Sequence, residues 1–261
     1  SLLQIGKNDE IGIFEVGISK PGEMKKMEEI FSPEIGILTH IGAAHASNFE
    51  NEEQLIHEKL KLFKDSKTII FNGDNELVYR KIHELYSSKK LISYGLQNHN
   101  HLYVKNDWTD RSSSLEIQYF DEEFRLSAQQ RDEATLSNAL CIIAVLKEFN
   151  FPTPKIIDKI NDLKAIEMRL ESVNGVRNNL IINDSYNLDL DSLKIAYQFI
   201  KEYNKPKKTL ILTDFVEGKN SEQLYHEVAD LTNLQHFSKI FLIGEEINQY
   251  EKLFTAETNS F

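Results

Sequence analysis

Residues 35–42 read IGILTHIG, residues 51–63 NEEQLIHEKLKLF and residues 67–73 KTIIFNG. The first and third are short isoleucine-rich runs; the second spreads its apolar residues at helical spacing among charges. Apolar run, amphipathic stretch, apolar run is the rhythm of a βαβ unit in a parallel sheet, whose strands are almost continuously apolar because both faces are covered. Toward the amino terminus the alternation continues with IGIFEVG (11–17), read as a strand, and GEMKKMEEIF (22–31), read as a helix. Glu76 to Tyr86 reads as a third helix. Between Leu91 and Ser127 the runs SLEIQYF and EEFRLSA, set apart by polar turns, predict an antiparallel extension in which these two form a hairpin.

Farther along, Glu133 to Phe149 carries apolar residues at helical spacing, and FPTP (151–154) breaks the chain before a helix from Lys155 to Leu163. A boundary near Ser172 follows. Alternation then restarts with NLIIND, a helix from Asp191 to Tyr203, KTLILTD, a helix from Ser221 to Leu231, and KIFLIG. The expectation is an α/β protein of two domains, 1–172 and 173–261, the second cut short at its end. The length of 261 residues allows two cores.

A formal net charge of -11 argues against a broad electrostatic grip on nucleic acid or anionic lipid. The single cysteine, Cys141, sits in an apolar run and reads as a buried structural thiol, so no disulfide framework exists. No apolar run reaches the roughly 18 residues needed to cross a bilayer, and the first residues lack a signal-peptide pattern; the expected location is cytoplasmic. The apolar SLLQI at residues 1–5 reads as the end of a buried element, so the sequence is expected to begin inside a domain.

Three patches hold chemistry. Glu15 ends the run IGIFEVG, at the carboxyl edge where parallel sheets present ligands; a solvated strand-end glutamate has the same look. His45 follows IGILTHIG just past another such edge, and a carboxylate with an imidazole can hold a divalent metal, although a loop histidine reads the same way. Lys59 lies on the helix among Leu55, Ile56, Leu60, Leu62 and Phe63, with Lys61 competing for its role and a snorkelling surface lysine the plain reading of either.

In order, FEVGISKPGEM (14–24), THIGAAH (39–45) and HEKLKLF (57–63) resemble the middle domain of the Mur ligases. That family has a strand ending in Glu-x-Gly, a Gly-Glu soon after, a small-small-His turn and a helix with a reactive lysine. The resemblance implies that Glu15 and His45 help bind magnesium and that Lys59 is the lysine carbamylated by carbon dioxide. Carbamylation turns a cation into an anion with two oxygens, a hard ligand for magnesium. The family pattern Lys-Gly-Glu is replaced here by Lys59, Leu60 and Lys61.

The resemblance extends through most of the chain. FNGDN is similar to the family's Asn-Ala-Asp turn, carried by Asn72 and Asp74. TLSNALCIIA resembles an Asn-Ala-Leu segment beside adenine, which implies base recognition by Asn138. EMRLESV resembles the Arg-Leu-Glu joining the two domains, where Arg169 would reach phosphate or ribose as a bidentate cation. NDSYNLDLDSL resembles the DSYNANP segment of the branch that adds D-alanyl-D-alanine. Asp184 is then a ribose or metal-side contact, with Tyr186 and Asn187 beside the nucleotide. Leu188, Asp189 and Leu190 replace the usual Ala-Asn-Pro, and an Asx-type turn before a helix also satisfies these residues. TLILTDFVEG keeps an Asp214 but not the glycine of the family's Gly-Asp-Met.

The implied fold is a parallel sheet with an antiparallel extension followed by a Rossmann-like C-terminal α/β domain. The implied activity is ATP- and magnesium-dependent amide formation between UDP-N-acetylmuramoyl-tripeptide and D-alanyl-D-alanine. No Gly-rich loop ending in Gly-Lys-Ser/Thr occurs; Gly218-Lys219-Asn220 lacks the upstream glycine and the hydroxyl. The family carries this loop upstream of the Glu-x-Gly strand, so the expectation is a piece without the phosphate loop and the UDP-sugar domain, inactive alone. Some members of this branch are fused to an alanine racemase, and the variant segments here resemble them. The alternatives are another Mur-type or folylpolyglutamate-type ligase, or a non-catalytic nucleotide-binding module.

Overall fold

A computed structural model describes residues 6–42, 48–110, 112, 114–127, 132–163, 168–186, 188–201, 203, 205–215 and 221–261. The larger sheet has six strands in sequential order: β1 (Ile35–Leu38), β2 (Thr68–Asn72), β3 (Lys90–Gly95), β4 (Leu102–Val104), β5 (Leu115–Tyr119) and β6 (Glu122–Leu126). The pairs from β1 to β4 are parallel; β5 and β6 continue antiparallel. The antiparallel extension therefore starts two strands later than Leu91, because β3 and β4 keep the parallel direction.

Strand alternation sorts the core. Ile70 of β2 is buried on one face with Leu136, Leu140, Ile143 and Ala144 of α4 (Glu133–Glu148) and Ile156 of α5 (Thr153–Asn161). Its neighbours Ile69 and Phe71 face the other way, onto Met24 of α1 (Glu23–Ile30), Leu55, Ile56 and Leu60 of α2 (Glu52–Leu60), and Val78 and Ile82 of α3 (Glu76–Tyr86). With helices on both faces, the carboxyl edge of the sheet is left for ligands. Helices α2, α3 and α4 start where a short polar side chain takes up a free backbone N–H: Asn51 accepts from Gln54 at 2.9 Å, Asn75 from Val78 at 3.0 Å and Asp132 from Thr135 at 2.9 Å.

The run IGIFEVG is not a strand. Residues 11–17 have no regular structure and pair with nothing among the described residues, and Ile13 is 88% exposed. A strand needs a neighbour to supply its ladder, and an apolar run says nothing of whether that neighbour is there; β1 is the edge strand on this side. Glu15 is thus exposed on a segment without regular structure rather than at a strand end, while the adjoining Val16 packs on the α1–α3 side of the core.

The chain continues with a hairpin, β7 (Glu171–Asn174) and β8 (Leu180–Asn183), in which Ser172 pairs with Ile182. Strands β9 (Thr209–Thr213), β10 (Lys239–Ile243) and β11 (Glu257–Ser260) form a parallel sheet ordered β11-β10-β9. Leu212, Ile240 and Leu242 of this sheet are buried with Leu193 and Tyr197 of α6 (Leu190–Ile200) and with Tyr225 and Val228 of α7 (Ser221–Asn233). Among the described residues no helix is long and apolar enough to cross a membrane. Cys141 is a buried free thiol, as expected.

Candidate functional site

Lys59, in the last turn of α2, and Lys61, two residues on and just past its end, have different surroundings. The Lys61 ammonium lies 2.5 Å from a carboxylate oxygen of Glu58. Lys59 is half-buried, and neither an ion pair nor a hydrogen bond engages its amine among the described residues. Burial lowers the Lys59 amine below the usual lysine range. An amine that holds its proton less tightly and has no carboxylate across from it is the better nucleophile toward carbon dioxide. For Glu58 burial acts to raise the carboxyl, but Lys61 and the backbone N–H groups of Gly22 and Met24 outweigh it and hold the group below its ordinary range.

A cavity of about 190 Å³ opens at the carboxyl ends of β1 and β2, lined by Thr39, His40, Asn72, Asp74, Asn75 and Glu133 among others. Asn72 bridges two elements here: its side-chain N–H donates to Ser137 Oγ at 2.9 Å and its oxygen accepts from Asp74 N–H at 2.9 Å. This ties the end of β2 to the first turns of α4, where Asn138, next to Ser137, is exposed. Asp74 accepts from Leu96 N–H (2.7 Å), Gln97 N–H (3.1 Å) and Asn100 Nδ2 (2.8 Å). With about four acceptor positions on a carboxylate, little of it is left for a ligand. Sequence reasoning missed His40 and Glu133. The signal for His40 was present, since it follows directly on the β1 run at its carboxyl edge.

At the start of the second unit three candidates come together. The Arg169 guanidinium lies 4.2 Å from the centre of the Tyr186 ring, a cation–π stack. Leu170 N–H donates to Asp184 Oδ1 at 3.1 Å, and Tyr186 N–H to the Met168 carbonyl at 3.3 Å. Burial raises the Asp184 carboxyl above its ordinary range, against the opposing pull of the Leu170 N–H and Arg169. Asp189, in the segment departing from the family pattern, accepts from Ser192 N–H (2.9 Å) and Ser192 Oγ (2.7 Å) and so starts α6. Asp214 is occupied by Ile247 N–H at 2.7 Å and Glu246 N–H at 3.3 Å. His45, Asn187, residues 1–5 and Gly218-Lys219-Asn220 lie outside the described residues.

Among the described residues no group of three His, Cys, Asp or Glu side chains is placed to hold a metal. The expected donor set is of another kind: a carboxylate and an oxygen-bearing modified lysine are hard donors suited to magnesium, and the imidazole adds a borderline nitrogen. The segment carrying Glu15 is joined to α2, which carries Lys59, by a hydrogen bond from Gly22 N–H to Glu58 at 2.7 Å. No hydrogen bond or ion pair links Glu15 to Lys59 directly among the described residues.

Residues 1–146 match the family described as Mur ligase middle domain. The chain is similar to the UDP-N-acetylmuramoyl-tripeptide--D-alanyl-D-alanine ligase of Bacillus subtilis, 25% identical over 251 residues, covering 94% of this chain and 53% of that protein. It is also similar to the enzyme of the same name from Borreliella burgdorferi, 28% identical over 255 residues, with coverages of 94% and 53%. In fold it resembles the crystal structure of MurF from Acinetobacter baumannii, with a TM-score of 0.82 at 20% identity, covering 100% of this chain and 57% of that one. MurF ligase from Thermotoga maritima in complex with ADP gives a TM-score of 0.74 at 18% identity, covering 93% and 56%. The chain spans about half the length of the curated relatives it matches.

Proposed function

The chain belongs to the Mur ligase family, and from that premise we propose that it carries the middle and C-terminal units of a cytoplasmic ligase adding D-alanyl-D-alanine to UDP-N-acetylmuramoyl-tripeptide. The observation carrying this reading is the meeting of Arg169 with Tyr186 at 4.2 Å. It brings the Arg-Leu-Glu and Asp-Ser-Tyr-Asn segments, which flank the β7–β8 hairpin, to one place, and the second is the segment that separates this branch from its siblings.

In the proposed reaction ATP phosphorylates the tripeptide carboxylate, giving an acyl phosphate and ADP. The amine of D-alanyl-D-alanine attacks the acyl carbon, the C–O bond to phosphate breaks, the amine proton leaves to solvent, and amide and phosphate result. The protein's share is to align and neutralise charge. Arg169 lies over the Tyr186 ring and would turn its N–H edge to phosphate or ribose, with Asp184 beside it. Asn138 is the proposed base contact, with Asn72 and Asp74 shaping the edge of the cavity and Asn187 beside the nucleotide. Glu15, His45 and Lys59 would hold magnesium, which when bound neutralises phosphate charge. For this the Lys59 nitrogen bonds to the carbon of carbon dioxide and gives up a proton to solvent. The middle unit takes residues up to about 172 and the C-terminal unit those from 173; fusion to an alanine racemase in the full-length protein remains part of the proposal on the resemblance alone.

The test is an acceptor panel with the full-length protein, measuring phosphate release and product mass with D-alanyl-D-alanine, L-lysine, D-glutamate and L-glutamate. Turnover confined to D-alanyl-D-alanine is expected. Turnover with a single amino acid instead would identify a different ligase of the family, and binding of ATP without turnover on any acceptor a non-catalytic module.

A further inference from the structure

Helix α1 begins at Gly22, whose φ of 86° is one that glycine alone adopts freely, and no side chain of its own neighbourhood caps it. The cap comes from 36 residues away: Glu58 of α2 accepts from Gly22 N–H at 2.7 Å. A carboxylate at a helix amino terminus meets both unpaired N–H groups and the positive end of the helix dipole. Glu58 is only 4% exposed, and a buried carboxylate needs a counter-charge, which Lys61 supplies at 2.5 Å. On the other side of the loop Glu23 accepts from Ser19 N–H at 2.7 Å and Lys20 N–H at 2.9 Å, while Ile18 and Met24 are buried in the core with Leu55 and Leu60.

The loop from Ser19 to Gly22 is therefore fixed at both ends, and one of its fastenings is the residue preceding Lys59. The segment holding Glu15 runs directly into this loop. We propose that Glu58 is a positioning residue that clamps the Glu15 segment to the turn of α2 bearing Lys59, with Lys61 as its built-in counter-ion. The inference rests on the reading of Glu15 and Lys59 as partners in one centre. It also gives a function to the place where the chain departs from the Lys-Gly-Glu pattern of its family, since a glutamate at 61 would set two carboxylates against each other where Lys61 now neutralises one.

The experiment compares the parent chain with Glu58→Ala, Glu58→Gln and Lys61→Ala by two readouts. Amide hydrogen exchange at Gly22 reports the clamp, and the carbamate carbon signal of Lys59, recorded with ¹³C-bicarbonate, magnesium and ATP, reports positioning. Glu58→Ala is expected to speed Gly22 exchange by about tenfold or more, since a hydrogen bond to a charged acceptor is lost. It is also expected to cut the carbamate signal severalfold. Glu58→Gln, whose side-chain oxygen still accepts from Gly22, restores most of both, and Lys61→Ala falls between. Unchanged Gly22 exchange in Glu58→Ala overturns the clamp. Faster exchange with an undiminished carbamate overturns positioning. Absence of carbamate in the parent chain overturns the proposed centre and the positioning role with it, and is told apart from failure of the clamp because Gly22 exchange would still respond.

Discussion

Asp74 and Gly95 meet across two neighbouring parallel strands so closely that a Cβ on the glycine would collide with the aspartate carboxylate. Asp74 stands just past the end of β2, and Gly95 is the last residue of β3; the carboxylate takes the N–H groups of Leu96 and Gln97 as the chain leaves that strand. The second unit repeats the device. Asp214 lies just past β9 and receives Glu246 and Ile247 N–H beyond β10, and Gly244 leaves room for it. In each case an aspartate at a carboxyl edge ties down the loop after the next strand, which is a structural use of a residue type that sequence reading assigns to ligand binding.

It follows that Asp74→Ala should destabilise the chain by on the order of 2 kcal/mol, because backbone donors and Asn100 lose their acceptor together. Gly95→Ala should also destabilise it, through the clash. Urea unfolding checks both, and midpoints within error of the parent chain would contradict the latch.

Lys59 and Lys61 should separate sharply in the full-length protein. Removing a charge-positioning group at a reaction centre costs roughly a hundredfold in turnover, so Lys59→Ala is expected to lose at least that much. Lys61→Ala, which acts through Glu58, should lose less. Steady-state kinetics on both variants decides, and equal losses would contradict the assignment.

Tyr186 is 59% exposed and its ring stacks on Arg169. An exposed cation–π contact contributes about 0.5–1 kcal/mol, so Tyr186→Ala should weaken ATP binding roughly two- to fivefold, while Tyr186→Phe keeps the ring and the affinity. Calorimetric titration measures this; a phenylalanine variant as weak as the alanine one would show that the hydroxyl, not the ring, matters.

His101 gives the chain a pH dependence. Its Nδ1 accepts the N–H of Ser93 at 3.0 Å, and burial first, then nearby His83, push its pKa below the ordinary 6.5. The folded state therefore favours the neutral ring. Above about pH 6.5 no stability is lost on this account; as pH falls from there through the folded-state value, the unfolded chain takes up the proton more readily and stability declines. Replacing the ring by His101→Gln should flatten this part of the urea-midpoint profile, and an unchanged acid slope would contradict it.

Much of the architecture was legible because periodicity reports burial. Runs such as KTIIFNG and KIFLIG became strands, and Glu76 to Tyr86 became a helix with the expected ends, where Asn75 supplies the cap. IGIFEVG was misread because pairing is a property of two segments, and one apolar run cannot show whether its neighbour is present. The short strands β7 and β11 were missed for a related reason: ESVN and ETNS lack an apolar signature, and their pairing partners alone define them. For the candidate site, motif order pointed to Arg169, Asp184 and Tyr186, which the structure brings together. The different surroundings of Lys59 and Lys61 were not readable, because they turn on which of two neighbouring lysines reaches the buried Glu58.

Crystals of the chain grown with ADP, bicarbonate and manganese in place of magnesium test the central claim most directly, through the anomalous signal of the ion. The account predicts a manganese peak within bonding distance of the Glu15 carboxylate and of an enlarged, carbamate-bearing Lys59 side chain. A peak bound elsewhere, beside an unmodified Lys59, would contradict it.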